Sequence, residues 1–415
     1  MKITVTKDEL KSSLDTTSTT LSTLADITSH FVFAVRKGVL TVKTACPPSV
    51  FSMVPVVGAT MEMAEGAEQW DEFSIEGKRL LKALSAHKDN EVLTLSYDAS
   101  SKKTTLTSSL GGKNVFESLD PNNFPVWETY MESIEEDSEG TPKVLKAELL
   151  EEAITVTKEF FSKDPARLPL TIFEIVAGRI VATDGHSLIL AKHPDFEGKN
   201  LKVMNKDLAN VHKFVKSYVG HDFTIKASPQ AQFLIADEGS VLGIMNVPHS
   251  GVALSNPAFE NLLDWKPYRA WLFKKEDLTS AIKWLSSGAQ DKDYRLVFNV
   301  NTDPVTLYMS SRSGKEDLSQ TLAEAPVPEL EDGEELPFNL SMKGQIEEGL
   351  EEASISIFPL NYACIERAID NLKGSDVFCL GVWVDSSSGK TSGGLIIKEE
   401  TSQGIKTSMI SSWFK

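Results

Sequence analysis

A chain of 415 residues is too long for one ordinary core, and at roughly 100–200 residues per domain it should divide into two to four. With 41% hydrophobic and 24% charged residues and three cysteines, it has the composition of a globular protein and not of a disulfide scaffold. No apolar run approaches the roughly 20 residues that span a bilayer, so a cytoplasmic location is expected, and the net charge of −17 excludes wrapping of nucleic acid by the whole surface while allowing a local basic lining.

The opening Met1-Lys2-Ile3-Thr4-Val5 alternates like a strand and does not resemble a signal peptide. Val5, Leu10 and Leu14 follow a spacing that returns as Leu145, Leu150 and Ile154, and again as Phe273, Leu278 and Ile282. Each set reads as a strand end followed by a helix with one apolar face. Asp8, Glu148 and Glu276 stand near the helix starts, where the helix dipole favours negative charge. Thr16 to Thr20 are poor helix formers, so the first helix should be short or irregular.

A second signature lies downstream of each first one: Phe73, Ile75, Leu80 and Ala83; Leu201, Val203, Leu208 and Val211; Ile355, Ile357, Tyr362 and Ile365. Alternation followed by helical spacing means strand, turn, helix. Alternating runs follow at Val92 to Leu95, Phe223 to Ile225 and Val377 to Val384. The fold class expected is therefore α+β, with three similar domains, each holding two strand-helix-strands units. Their expected extents are 1–130, 143–266 and 267–415. An acidic linker is read at 131–142 and an acidic insertion in the third domain at about 323–352. The joints follow similar text, Leu119 to Trp127 and Leu254 to Trp265, the second just before Pro267.

The most specific stretch runs from Gly178 to His193. Two β-prone runs flank Asp184-Gly185, which suits a two-residue hairpin turn with Thr183, His186 and Ser187 at its tip. Those polar residues suggest catalysis, binding or a simple turn. Gly111-Gly112-Lys113 lacks the spacing of a phosphate loop and reads as another hairpin turn. Cys46, Cys364 and Cys379 form no Cys-x-x-Cys pair and read as buried free thiols.

Together these residues resemble the bacterial DNA polymerase III β subunit, or sliding clamp. The Met1 to Val5 opening with its helix, Phe124-Pro125-x-Trp127, and above all Val181-Ala182-Thr183-Asp184-Gly185-His186 in the middle domain carry the likeness. The resemblance implies a homodimeric ring with sheets outside and helices lining a hole threaded by double-stranded DNA. Such a ring tethers the replicative polymerase without reading base sequence. Lys78, Arg79, Lys82, Lys158, Lys213, Lys216, Lys283, Arg367 and Lys373 are the candidates for the DNA-facing lining, with ordinary solvated helix faces as the alternative for each.

The resemblance also implies a pocket that docks short peptides of the polymerase and the clamp loader. Its candidates are Leu168, Thr183, Gly185, His186 and Leu188, with Pro267 from the joint and Met409 or Ile410 from the C-terminal strand. His186 would either orient a peptide backbone or hydrogen-bond within its own hairpin. Ser187 stands where the family usually has Arg, the ending Met409 to Lys415 lacks the family's usual Pro-Met-Arg-Leu, and Ser286-Ser287-Gly288 is polar where ring-closing residues are commonly apolar. Such divergence would suit a viral clamp in a host cytoplasm as well as a cellular one at the replisome.

Two rivals are weighed against this reading. A hydrolase would need Ser and His converging beside an oxyanion hole, and there is no Gly-x-Ser-x-Gly elbow and no histidine or carboxylate set at metal-ligand spacing, so neither catalytic residues nor a metal or other cofactor is expected. The other rival is a monomeric scaffold of the same fold that binds proteins without encircling DNA.

Overall fold

The computed structural model describes residues 1–24, 26–63, 70–125, 143–228, 230–249, 251, 269–287, 294–299, 305–311, 317–322, 357–361, 377–384 and 391–414. The acidic linker, the joint holding Pro267, the whole acidic insertion, Ile355, Tyr362, Ile365, Arg367 and Lys373 lie outside these residues.

The chain begins with β1 (Lys2–Thr6) and α1 (Lys7–Thr17), then β2 (His30–Arg36), β3 (Val39–Cys46), β4 (Val50–Pro55) and β5 (Thr60–Glu62). It repeats the motif as β6 (Phe73–Glu76), α2 (Gly77–Leu84), β7 (Val92–Asp98), β8 (Lys103–Ser108) and β9 (Lys113–Glu117). The middle segment gives β10 (Lys143–Lys146), α3 (Ala147–Thr157), β11 (Ile172–Val176), β12 (Arg179–Thr183) and β13 (Ser187–Lys192). It continues with β14 (Leu201–Met204), α4 (Asn205–Lys216), β15 (Asp222–Ala227), β16 (Ala231–Ala236) and β17 (Val241–Met245). The last segment holds β18 (Arg269–Lys274), α5 (Lys275–Ser287), β19 (Tyr294–Asn299), β20 (Val305–Ser311), β21 (Asp317–Leu322) and β22 (Ile357–Asn361). It ends with β23 (Val377–Val384), β24 (Thr391–Glu400) and β25 (Lys406–Phe414).

The repeated spacing selects the core. Val5, Leu10, Leu14, Leu145, Leu150, Ile154, Phe273, Leu278 and Ile282 are all buried, as are Phe73, Ile75, Leu80, Leu201, Val203, Leu208 and Val211. The first helix is not shortened by its Thr and Ser run: at 11 residues it is as long as α3 and includes Thr16 and Thr17, because buried Leu10, Leu14 and Thr17 outweigh weak helix propensity. Thr6 caps it, with the Glu9 carboxylate accepting from the Thr6 backbone N–H at 3.2 Å, and after Thr17 the chain tightens into a 3₁₀ turn at Ser18–Thr20. Thr20 and Thr44 then spend their hydroxyls on each other and on Ser52, at 2.6 and 2.7 Å from Thr20.

Two compact units form, Met1–Glu151 with Leu201–Pro248, and Glu152–Asn200 with His249–Lys415. In the first unit one sheet has the order β5-β1-β7-β8-β9 and a longer one the order β10-β15-β16-β17-β4-β3-β2-β6. Phe33 and Phe73 stack at 4.8 Å, and Phe73 and Tyr97 at 5.1 Å, within the core of the first repeat. In the second unit β11, β12, β13, β25, β24, β23 and β18 follow one another in a long sheet, and a four-stranded sheet has the order β21-β20-β19-β22.

Both long sheets are joined in the same way. The strand that ends one three-strand meander pairs antiparallel with the last strand of a later repeat: β4 with β17, and β13 with β25. Gly243 faces Phe51 across the first joint, and a Cβ there would stand 2.0 Å from the Phe51 ring, so a bare backbone is what lets the ring cross the sheet.

Candidate docking hairpin and basic helices

The hairpin from β11 to β13 occupies the second unit, and its first turn is the tight one. Val176 pairs with Arg179, leaving Ala177 and Gly178 as a two-residue loop with φ of +49° and +74°. The same loop occurs between β2 and β3, where Lys37 and Gly38 have φ of +48° and +81°.

The Asp184-Gly185 turn differs from the two-residue form expected. Thr183 pairs with Leu188, so four residues, Asp184 to Ser187, make the tip, and only Gly185 has a positive φ, +91°. The cause is the Asp184 side chain, whose Oδ1 accepts the backbone N–H groups of both His186 and Ser187 at 2.9 Å. The Thr183 hydroxyl accepts the N–H of Gly185 at 3.0 Å. Local side-chain acceptors thus replace the backbone pairing of a tight turn. Ser187 opens β13 but is paired with Ser411 of β25, not with β12.

The predicted pocket residues therefore have distinct positions. Thr183 and Leu188 are buried opposite each other, Gly185 and His186 are exposed at the tip, and Leu168 is half-buried in a 3₁₀ turn that begins directly after Arg167. The Arg167 guanidinium reaches the Asp184 carbonyl oxygen at 3.4 Å, which brings the Leu168 turn to the hairpin tip. Leu188 faces Ile410 and Ile189 faces Met409 in the β13–β25 register, so the C-terminal strand lies alongside the hairpin. Arg167 is the residue sequence reasoning missed; nothing local distinguishes it from any exposed arginine.

Among the described residues the buried Ser187 hydroxyl has no hydrogen-bond partner, while His186 projects from the exposed tip, so the two do not form the nucleophile–base pair that acyl transfer requires. Asp184 is engaged in shaping the backbone. Cys46 offers no reactive thiolate either, because burial and then the Asp207 charge push its thiol up.

The corresponding turn of the first repeat lies between β3 and β4. Cys46 pairs with Val50, leaving Pro47, Pro48 and Ser49, with no Asp or His. Beside it is an open cleft of about 480 Å³ lined by Asp26, Ile27, Thr28, Pro47, Leu119, Asp120, Asn123 and Pro125.

Of the described basic candidates, all but Lys158 fall on α-helices. Lys78, Arg79 and Lys82 are all exposed on α2, which holds no carboxylate of its own; Arg79 lies 3.9 Å from Glu76 and over the Phe116 ring at 5.7 Å. Lys213 and Lys216 are exposed on α4 and line an open cleft with Asp15, Ser18, Thr19, Leu21, Asn210 and Ser217, contributed by the end of α1 and by α4. Lys283 is exposed on α5, and Lys158 is half-buried in the 3₁₀ turn after α3. The first helix of each repeat carries the acids: Asp8, Glu9 and Asp15 on α1, Glu148, Glu151 and Glu152 on α3, Glu276 and Asp277 on α5. The described second helices, α2 and α4, carry most of the exposed helical cations, with Lys283 on α5 an exception.

No family model matches the sequence, and no curated protein matches it. Solved structures do. The DNA polymerase III β subunit of Pseudomonas aeruginosa superposes with a TM-score of 0.73 at 13% identity, covering 100% of both chains. The β sliding clamp of Caulobacter crescentus gives 0.73 at 14% identity over 100% of this chain and 99% of its own. The β subunit of Streptococcus pyogenes gives 0.70 at 13% identity over 100% of both.

Proposed function

The chain has the three-domain α+β fold of the bacterial DNA polymerase III β sliding clamps, and from that premise we propose that it is itself a sliding clamp, a non-catalytic ring that holds a polymerase on duplex DNA. The three domains are read at 1–130, 143–266 and 267–415.

The observation that carries the proposal is the pattern of sheet joints. β4 is completed by β17 and β13 by β25, each the end of one meander meeting the last strand of the following repeat. Continued once more, the rule pairs β21, the end of the third meander, with β9, the last strand of the first repeat. Both stand at the edge of their sheets within the chain. A second copy supplies the missing partner, and two chains pairing β21 to β9 head to tail make a closed dimer with no unpaired joint. Val115 on β9 is 45% exposed, as an unfilled strand partner would leave it. A Val115→Asp variant should run as a monomer where the parent runs as a dimer, and a parent that stays monomeric at micromolar concentration would favour the scaffold reading.

Duplex DNA would lie against the second helices. Lys78, Arg79 and Lys82 on α2 and Lys213 and Lys216 on α4 supply charge for phosphates, while the −17 excess sits elsewhere. Lys158 and Lys283 are weaker contributors in this reading, one half-buried, the other on a helix that begins with two acids. The hairpin tip, with Leu168, Thr183, Gly185, His186 and Leu188, would form one wall of a cleft that docks short peptides of the polymerase and clamp loader; Pro267, Met409 and Ile410 would complete it. The decisive experiment is retention on nicked circular DNA followed by linearisation. A topological tether releases the protein when the circle is cut. Equal retention on both forms would mean ordinary surface binding and end the ring proposal.

A further inference from the structure

His221, Asp237 and Glu238 stand together at one end of the β15–β16 hairpin in the first unit, and we propose that they form a binding site for a borderline divalent transition metal such as Zn²⁺.

The end of the β15–β16 ladder creates the cluster. Phe223 pairs with Ala236 at the end of the ladder, so His221, just before β15, and Asp237 and Glu238, in the β16–β17 turn, come to the same end of the hairpin. The Asp237 Oδ1 lies 3.0 Å and the Glu238 Oε2 3.2 Å from the same imidazole nitrogen, His221 Nδ1. Ligand atoms held about 2.0–2.2 Å from one metal ion stand about 2.8–3.6 Å apart when the angles between them run from a right angle to tetrahedral. Both observed separations fall in that interval.

A hydrogen-bonded histidine accounts for the arrangement less well. Nδ1 carries at most one hydrogen, which can point fully at one oxygen only, so two carboxylates converge on a single donor. A divalent cation removes the mismatch: the imidazole offers a lone pair, both carboxylates face positive charge, and solvent takes the open coordination positions. One nitrogen and two oxygens favour Cu²⁺ over Zn²⁺ and both over Mg²⁺, by the ordinary order of divalent affinities and the softness of imidazole.

The three ligands are presented on turns already fixed. The His221 carbonyl accepts from the Ala147 N–H at 3.0 Å, its N–H bonds the Tyr218 carbonyl at 3.0 Å, and the neighbouring Gly220 N–H bonds the Glu148 carboxylate at 2.8 Å. The Tyr218 ring meets the imidazole edge to face at 6.1 Å. Opposite, Gly239 N–H bonds the Ala236 carbonyl at 2.9 Å, and Glu238 N–H bonds Asp237 Oδ1 at 3.1 Å. Ligands fixed in this way need little ordering to bind. The side chains are 39–61% exposed, so metal enters directly from solvent. Sequence spacing hid the site, because its members come together only across a hairpin.

The test is titration of the tag-free, metal-stripped protein with ZnCl₂ by calorimetry, beside His221→Ala and Glu238→Gln variants whose circular dichroism matches the parent. The parent should bind one Zn²⁺ per chain with a matching rise in Tm, and each variant should weaken that binding by at least about tenfold and lose the Tm rise. Absence of one-to-one binding in the parent, or binding unchanged in both variants, overturns the site. Neither result depends on whether the chain encircles DNA.

Discussion

The β3–β4 turn of the first repeat and the β12–β13 turn of the second occupy equivalent places and are built differently. Each precedes the strand that joins one repeat to another, β4 to β17 and β13 to β25. The first closes with Pro47, Pro48 and Ser49; the second opens to four residues around the Asp184 carboxylate and projects His186 into solvent. Where the scaffold alone is at stake a stiff proline turn suffices. At the tip proposed to dock a peptide, side-chain acceptors hold an exposed turn in one shape.

The largest test of this contrast is affinity for a polymerase-tail peptide, measured by fluorescence polarisation. His186→Ala with Leu188→Ala should cost at least about 30-fold, the scale of a hot-spot loss, while Pro47→Ala in the first repeat should change nothing. Equal losses in both repeats would erase the distinction.

Next in size are the two tight turns, which the repeats build alike. Gly178→Ala forces a Cβ to within 2.2 Å of Glu197 Oε1 at a φ of +74°, and Gly38→Ala meets nothing at a φ of +81°. Chemical denaturation should show a loss of about 1 kcal/mol for Gly38→Ala from backbone strain alone, and a larger one for Gly178→Ala because Glu197 must move as well.

Asp184→Ala removes the acceptor for two backbone N–H groups but no surface a peptide would cover. Peptide affinity should fall about tenfold through loss of the preformed tip. Ser49→Ala, at the matching turn, should leave it unaltered.

The smallest effect expected is at Asp207, packed at the start of α4, where burial raises the carboxyl pKa against the opposing influences of Lys206 and a hydrogen bond from Ser49. A carboxyl whose folded pKa is raised favours the fold at low pH and loses that contribution as pH rises through the folded value. Asp207→Asn should therefore raise Tm at neutral pH by on the order of 2 °C, and the gain should shrink as the pH is lowered through the raised pKa. A gain that is constant with pH would mean that packing, not charge, is responsible.

Much of the fold was legible because burial is periodic. The Val5-Leu10-Leu14 spacing and its two copies marked strand ends and helix faces that the core occupies as expected, whereas the Thr-rich run from Thr16 did not shorten α1, which ends in a 3₁₀ turn just as α3 does. The sheet joints were not legible, since pairing between β4 and β17 leaves no local pattern in either strand. The hairpin was located correctly but its tip was misjudged, because Asp-Gly favours a two-residue turn only when the Asp side chain does not itself capture the backbone. His186 and Leu188 carried their roles by resemblance, while Arg167 came into view only through its contact with the Asp184 carbonyl.

The joint between β4 and β17 also bears on how the chain is made. When β4 leaves the ribosome its partner is still roughly 190 residues away, a delay of roughly 10–40 s at ordinary rates of synthesis. Throughout that interval Val50, Phe51, Met53 and Val54, all buried in the finished protein, lie along an unpaired edge in the nascent chain. That edge is open to the β4 of another nascent copy on the same message. Slowing synthesis between codons 60 and 240 should increase aggregation, whereas slowing it after codon 250 should not.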